Sequence, residues 1–144
     1  MEKENKQIKK EQIIIDGSFV PFGRLGAFAA KKALKGNNVV IINTDKIIII
    51  GRPKLIIEEY AQKRRLGKGN PRKPIFCRDV IPMFKRSIRG MIGFKKTTGQ
   101  EALKRIMCYI GIPKEFEGKE TVKLEQKFPL NYVTLDEISK SFKN

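Results

Sequence analysis

Three short runs of this chain carry no polar side chain: Ile13-Ile14-Ile15, Val39-Val40-Ile41-Ile42 and Ile47-Ile48-Ile49-Ile50. A strand with one wet face alternates apolar and polar residues. A strand apolar on both faces belongs inside a sheet covered on both sides, which is the situation of parallel sheets. Each run is short, rich in β-branched residues and followed by a turn signal, so a strand fits better than a buried helix. Gln12–Asp16, Val39–Ile42 and Ile47–Ile50 are therefore read as strands. A turn runs from Gly17 through Pro21 to Gly23, and Gly51 closes the third strand.

Helical patterns lie between and after these runs. The spacing predicts a helix over Arg24–Lys35, with Leu25, Phe28, Ala29 and Ala33 on one face and Gly36 as its C-terminal cap. Pro53 fits the first turn of a second helix. Its inner face is Leu55, Ile56 and Tyr60, and Arg64 and Arg65 close it where the helix dipole favours cations. Leu66–Pro74 reads as a loop. Pro82 opens a third helix that runs to Ile92 and is ended by Gly93. Phe84, Ile88 and Met91 form its apolar stripe, and Lys85, Arg86 and Arg89 occupy the other side.

Thr98-Gly99-Gln100-Glu101 has the form of a capping box for a fourth helix, with Ala102, Leu103, Ile106 and Met107 inward and Lys104 and Arg105 outward. Cys108-Tyr109-Ile110 reads as a fourth strand, stopped by Gly111 and Pro113. Lys114 to Asn131 reads as irregular. Thr134-Leu135-Asp136-Glu137 is a second capping box, opening a short terminal helix. This alternation implies an α/β layer fold with a largely parallel four-stranded sheet. The expected organisation is a flexible N-terminal extension over 1–11, one α/β domain over 12–113 carrying basic loops, and a C-terminal extension over 114–144.

The charge is lopsided. The 31 Lys and Arg against 15 Asp and Glu give a net +16. Of this, +12 lies between Arg52 and Arg105, where 16 basic residues face only Glu58, Glu59, Asp79 and Glu101. So concentrated a charge repels itself in a compact chain and favours a polyanionic partner. Arg and Lys satisfy phosphates by charge and hydrogen bonds, and Arg also stacks on bases. No recognition-helix or zinc-finger pattern appears, which disfavours DNA. The candidate RNA-contacting residues are Arg24, Arg52, Lys54, Lys63, Arg64, Arg65, Lys68, Arg72, Lys73, Arg78, Lys85, Arg86, Arg89, Lys95, Lys96, Lys104 and Arg105.

Catalytic chemistry has little to work with. There is no histidine, so the commonest general base and metal ligand is missing. Cys77 and Cys108 do not form a CxxC and alone cannot build a four-thiolate zinc site. The carboxylates show no acid/base or metal spacing, and the serines have no histidine to activate them. Glycines between the first strand and helix, Gly17, Gly23 and Gly26, could approach a phosphate. Their spacing is not GxGxxG and no P-loop lysine follows. A tight turn is the expectation, with a nucleotide-dependent enzyme as the alternative reading. No apolar signal region follows Met1–Gln12 and no apolar run is long enough to span a membrane, so a reducing cytosol is expected.

Several separated motifs resemble the large-subunit ribosomal protein L-thirteen family. In the first half these are Asp16-Gly17, Gly23-Arg24-Leu25, Val40 to Ile47, Gly51 and Lys54. In the second half they are Asn70-Pro71-Arg72, Ile88-Arg89-Gly90-Met91, Lys95-Lys96, Gly99, Ala102 to Arg105, and Tyr109-Ile110-Gly111-Ile112-Pro113. The likeness covers Ile13 to Gly118 and has the archaeal or eukaryotic form, without the His-Thr-Gly-Tyr loop of bacterial members. It departs at Gly93, where the family usually has proline, and at Thr98, where a basic residue is common. The resemblance implies a three-layer α/β/α sandwich, no catalytic activity, no cofactor and no small-molecule substrate. It implies a place in the large subunit of the cytoplasmic ribosome, on its RNA and beside neighbouring large-subunit proteins, with no membrane. A free RNA-binding regulator using the same basic block is the alternative.

Overall fold

The computed structural model describes residues 11–67, 69 and 76–143. The N-terminal extension up to residue 10, and Lys68 and residues 70–75 of the basic loop, lie outside the described residues, as does Asn144.

Four parallel strands form the central sheet: β1 (Gln12–Asp16), β2 (Asn38–Ile42), β4 (Ile106–Cys108) and β5 (Val122–Lys123), in the order β4-β2-β1-β5. Ile13 pairs with Val39 and Ile15 with Ile41, which puts their side chains on one face together with Ile106 and Cys108. That face is covered by α1 (Phe22–Leu34), α3 (Val80–Met91), α4 (Thr97–Lys104) and α5 (Leu135–Lys143). The opposite face, Ile14, Val40 and Ile42, is covered by Phe116 from the 3-10 turn Lys114–Phe116, with Tyr109 against it. Coverage on both sides is what the all-apolar runs require.

In α3 the sequence spacing settles the packing. Val80, Met83, Phe84 and Ile88 are buried, and Phe22 of α1 meets the Phe84 ring edge-on at 5.4 Å. Full burial of one such side chain stabilises the fold by about 1.5–3 kcal/mol. The helix approaches α1 closely at Gly26, where a β-carbon would come within 3.1 Å of the Met91 sulfur. The terminal capping box also forms: Thr134 N–H donates to Glu137 Oε2 at 3.2 Å, and Glu137 N–H to Thr134 Oγ1 at 3.3 Å.

Several sequence expectations are corrected. The Ile47–Ile50 run leaves the main sheet. Asn43 takes a left-handed conformation, φ 54°, and the 3-10 turn Thr44–Lys46 redirects the chain. The resulting β3 (Ile48–Ile50) pairs antiparallel with β6 (Tyr132–Thr134) in a two-stranded ribbon. The fourth member of the central sheet is instead β5, in the tail read as irregular. Strand β4 begins two residues earlier than expected, so Ile106 and Met107 belong to it rather than to α4. Met107 consequently points outward, 45% exposed. The first capping box does not form. Lys96 is the N-cap of α4, with no side-chain bond, and Thr98 lies inside the helix. Gly99 instead packs against the end of α3, where a β-carbon would sit 2.6 Å from the Ile92 carbonyl oxygen. On α2 (Pro53–Arg65) Ile56 is buried, but Leu55 is exposed and Ile57 packs inward instead. Met91 is also partly exposed, at 41%.

Candidate nucleic-acid interface

The strand-to-helix turn is engaged by its own chain. Gly17 N–H donates to the Ile42 carbonyl, Ser18 N–H to Asp16 Oδ1, Phe19 N–H to the Lys46 carbonyl and Val20 N–H to the Gly17 carbonyl. Asp16 Oδ1 also accepts from Ser18 Oγ at 2.8 Å and Asn43 Nδ2 at 3.0 Å. Burial pushes the Asp16 carboxyl up. The bonds from Asn43 and Ser18, with the charge of Lys123, outweigh it and hold the group below its ordinary 3.8. Nearby, Thr44 Oγ1 donates to the Tyr109 carbonyl and Gly111 N–H to Asp45 Oδ1. The crevice at the carboxyl ends of the strands, where α/β folds take ligands, is filled by internal bonds. Among the described residues no three His, Cys, Asp or Glu side chains gather as a metal site.

The cations gather elsewhere, on the outer side of α2 and α3. Arg64 and Arg78 border one depression with Phe76, which also holds Asp79 and Lys143, and Lys63 and Arg86 border the next, again with Phe76. Arg86 then continues into a groove of about 620 Å3 lined by Arg89, Gly90, Gly93, Phe94, Lys95 and Lys96. This groove has four cationic side chains and no carboxylate in its walls. The register of α3 produces it: Arg86 and Arg89 project away from the buried Phe84 and Ile88, and the turn at Gly93, φ 64°, brings Lys95 and Lys96 back alongside.

Aromatic rings steady these cations. The Arg89 guanidinium carbon lies 4.0 Å from the Phe94 ring centroid and that of Arg86 lies 5.2 Å from Phe76. Arg64 sits 5.2 Å over Phe142, and Lys63 lies 4.9 Å over Tyr60 while pairing with Glu59 at 2.9 Å. Desolvated contacts of this kind contribute about 2 kcal/mol and exposed ones less.

The remaining candidates are placed differently. Lys54 and Arg65 border a separate depression along α2 that also contains Glu58. Arg24 in the first turn of α1, Arg52 ahead of α2 and Lys104 at the end of α4 are exposed on other elements. Lys85 is half-buried, with its charge acting on Cys108. Arg105 is engaged within the fold, donating from Nη1 to the Ala33 carbonyl at 3.2 Å and facing Glu101 at 3.6 Å. Lys68, Arg72 and Lys73 lie outside the described residues. Sequence reasoning did not single out Phe94. Its signal was present in an aromatic flanked by Gly93 and Lys95-Lys96.

Comparison with known proteins agrees with the motifs. The family model described as ribosomal protein L13 matches residues 10–115. A large ribosomal subunit protein uL13 of Methanosphaera stadtmanae is 41% identical over 121 residues, covering 82% of this chain and 85% of that protein. Its counterpart in Picrophilus torridus is 39% identical over 131 residues, covering 89% and 94%. That of Archaeoglobus fulgidus is 33% identical over 142 residues, covering 94% and 90%.

Proposed function

The chain belongs to the ribosomal protein L13 family, whose members are structural and non-enzymatic, and on that premise we propose that it is a constituent of the large subunit of the cytoplasmic ribosome that binds and stabilises the subunit's RNA. The observation that carries this reading is the row of adjoining depressions bordered by Arg64 and Arg78, with Asp79 among them, then by Lys63 and Arg86, then by Arg89, Lys95 and Lys96. Arg64, Arg86 and Arg89 are presented by helices and held against rings, which suits the fixed phosphate array of folded RNA. Sheet face, helix faces and terminal helix serve to hold that surface in place. The second expected class of partner, neighbouring large-subunit proteins, accords with the exposed Phe128 and Leu130 of the tail. None of the five described helices is long and apolar enough to cross a membrane.

The test is twofold. Tagged protein should co-sediment with large subunits through a moderate-salt wash. The purified chain should bind structured RNA with a steep salt dependence, each neutralised duplex phosphate contributing roughly one unit of log–log slope. A protein that stays at the top of the gradient, or an affinity that ignores salt, refutes the proposal.

A further inference from the structure

We propose that the groove at the end of α3 takes one unpaired nucleotide, its base stacked on the Arg89–Phe94 pair and its phosphates on Lys95 and Lys96. This rests on the RNA-binding reading above and says what kind of RNA feature the site accepts.

Four observations converge. Arg89 is centred over Phe94 at 4.0 Å, the shortest of the cation–ring distances among the described residues. Aromatic rings and guanidinium planes are the platforms on which proteins hold splayed-out bases. Phosphates alone need no ring. Next, the groove's volume of about 620 Å3 falls within the roughly 300–1,000 Å3 of sites that enclose small organic ligands. A concavity of that volume has room for a single nucleotide. The charge is also of one sign, with four cations and no carboxylate in the walls. That excludes a cationic occupant and suits one that combines a flat base with anionic linkages.

The last observation concerns Gly90. It is exposed within α3, and a β-carbon there would meet nothing within 4 Å. Gly90 is the penultimate residue of α3; glycine is unfavourable in a helix relative to alanine, and here no close packing inside the fold requires it. It lines the groove, however. Leaving out a side chain at 90 keeps the groove open beside the ring.

The experiment uses the full chain and two short RNA hairpins of equal length and charge. One is fully paired and one carries a single bulged 4-thiouridine. The bulged hairpin should bind roughly ten-fold tighter, the order of effect of one base on an aromatic platform, and irradiation should cross-link the bulged base to the peptide containing Phe94. Phe94→Leu should abolish that preference, bringing the bulged hairpin to the affinity of the paired one. Gly90→Leu should abolish it too, with melting temperature maintained, since leucine is a better helix former than glycine. Equal affinity of the parent for both hairpins with a steep salt slope overturns this inference and leaves the RNA-binding reading standing. So does a Gly90→Leu variant that keeps the preference. Salt-independent or absent binding to both hairpins overturns the RNA-binding reading, and the inference with it.

Discussion

Arg105 of the α4 terminus donates from Nη1 to the carbonyl oxygen of Ala33 at 3.2 Å, 72 residues away in the chain. The Ala33 carbonyl also accepts from Gly36 N–H at 3.0 Å, so the guanidinium adds a charged second bond at the end of α1 and anchors the connection into β4. Arg105→Gln should therefore lower stability by about 1–3 kcal/mol. It should leave the salt slope of RNA binding intact. A variant with parental melting temperature and a shallower slope would reverse that assignment.

The opposite result is expected on the outer face of α3. Replacing Arg86, Arg89, Lys95 and Lys96 by Gln leaves Phe84 and Ile88 untouched. Surface changes away from the core usually cost less than about 0.5 kcal/mol each. Melting temperature should hold while RNA affinity and salt slope both fall. Phe84→Ala should instead cost about 3–5 kcal/mol, since the ring is fully buried against Phe22. Thermal unfolding and a salt titration on the same preparations separate the two classes.

Gly99 offers a steric test. A β-carbon there would lie 2.6 Å from the Ile92 oxygen and 2.8 Å from the Gly93 carbonyl carbon, both of them backbone atoms. Gly99→Ala should force α4 away from α3 at a cost of about 1–3 kcal/mol. It should also weaken RNA binding through the displaced Gly93–Lys96 turn. An alanine variant as stable as the parent would show that this junction can relax.

Asp16 makes stability depend on acid. Its carboxyl is held below its ordinary 3.8 by bonds from Asn43 and Ser18 despite burial. Its contribution is present above the unfolded pKa, roughly 4, and is lost as pH falls through the lower folded value. Asp16→Asn should destabilise the protein at neutral pH and flatten the acid limb of its stability curve below about pH 4. An unchanged acid limb would mean another carboxylate is responsible.

Cys108 makes the converse prediction at high pH. Burial pushes its thiol up to about 12, against the pull of Lys85. An unfolded thiol ionises near 9.0, so stability is intact below that pH and falls as pH rises toward 12. In the native protein a maleimide at pH 8 should label the half-buried Cys77 and spare Cys108. Equal labelling of both thiols without denaturant would contradict the burial.

Local pattern alone determined a good part of this protein. The runs Ile13–Ile15 and Val39–Ile42 are strands because they have no polar face to show water. The stripe of Phe84 and Ile88 turns Arg86 and Arg89 outward at helical spacing, and Thr134 with Glu137 caps the terminal helix across one turn. Those effects act within a few residues, so they are written locally. Tertiary structure alone decided which strands pair. Ile47–Ile50 is as apolar as its neighbours, yet left-handed Asn43 and the bonds of Thr44 to Tyr109 carry it to Val133 rather than into the sheet. Val122–Lys123 is too short and too exposed to show any period, and it becomes a strand only because Ile15 and Asp16 offer it a free edge. The cations divide by the same rule. The sequence concentrates their charge, but only the approach of α4 to α1 takes Arg105 into the fold, and only the turn after α3 brings Phe94, Lys95 and Lys96 beside Arg89. Long-range contacts choose among locally equivalent residues, and no spacing along the chain encodes that choice.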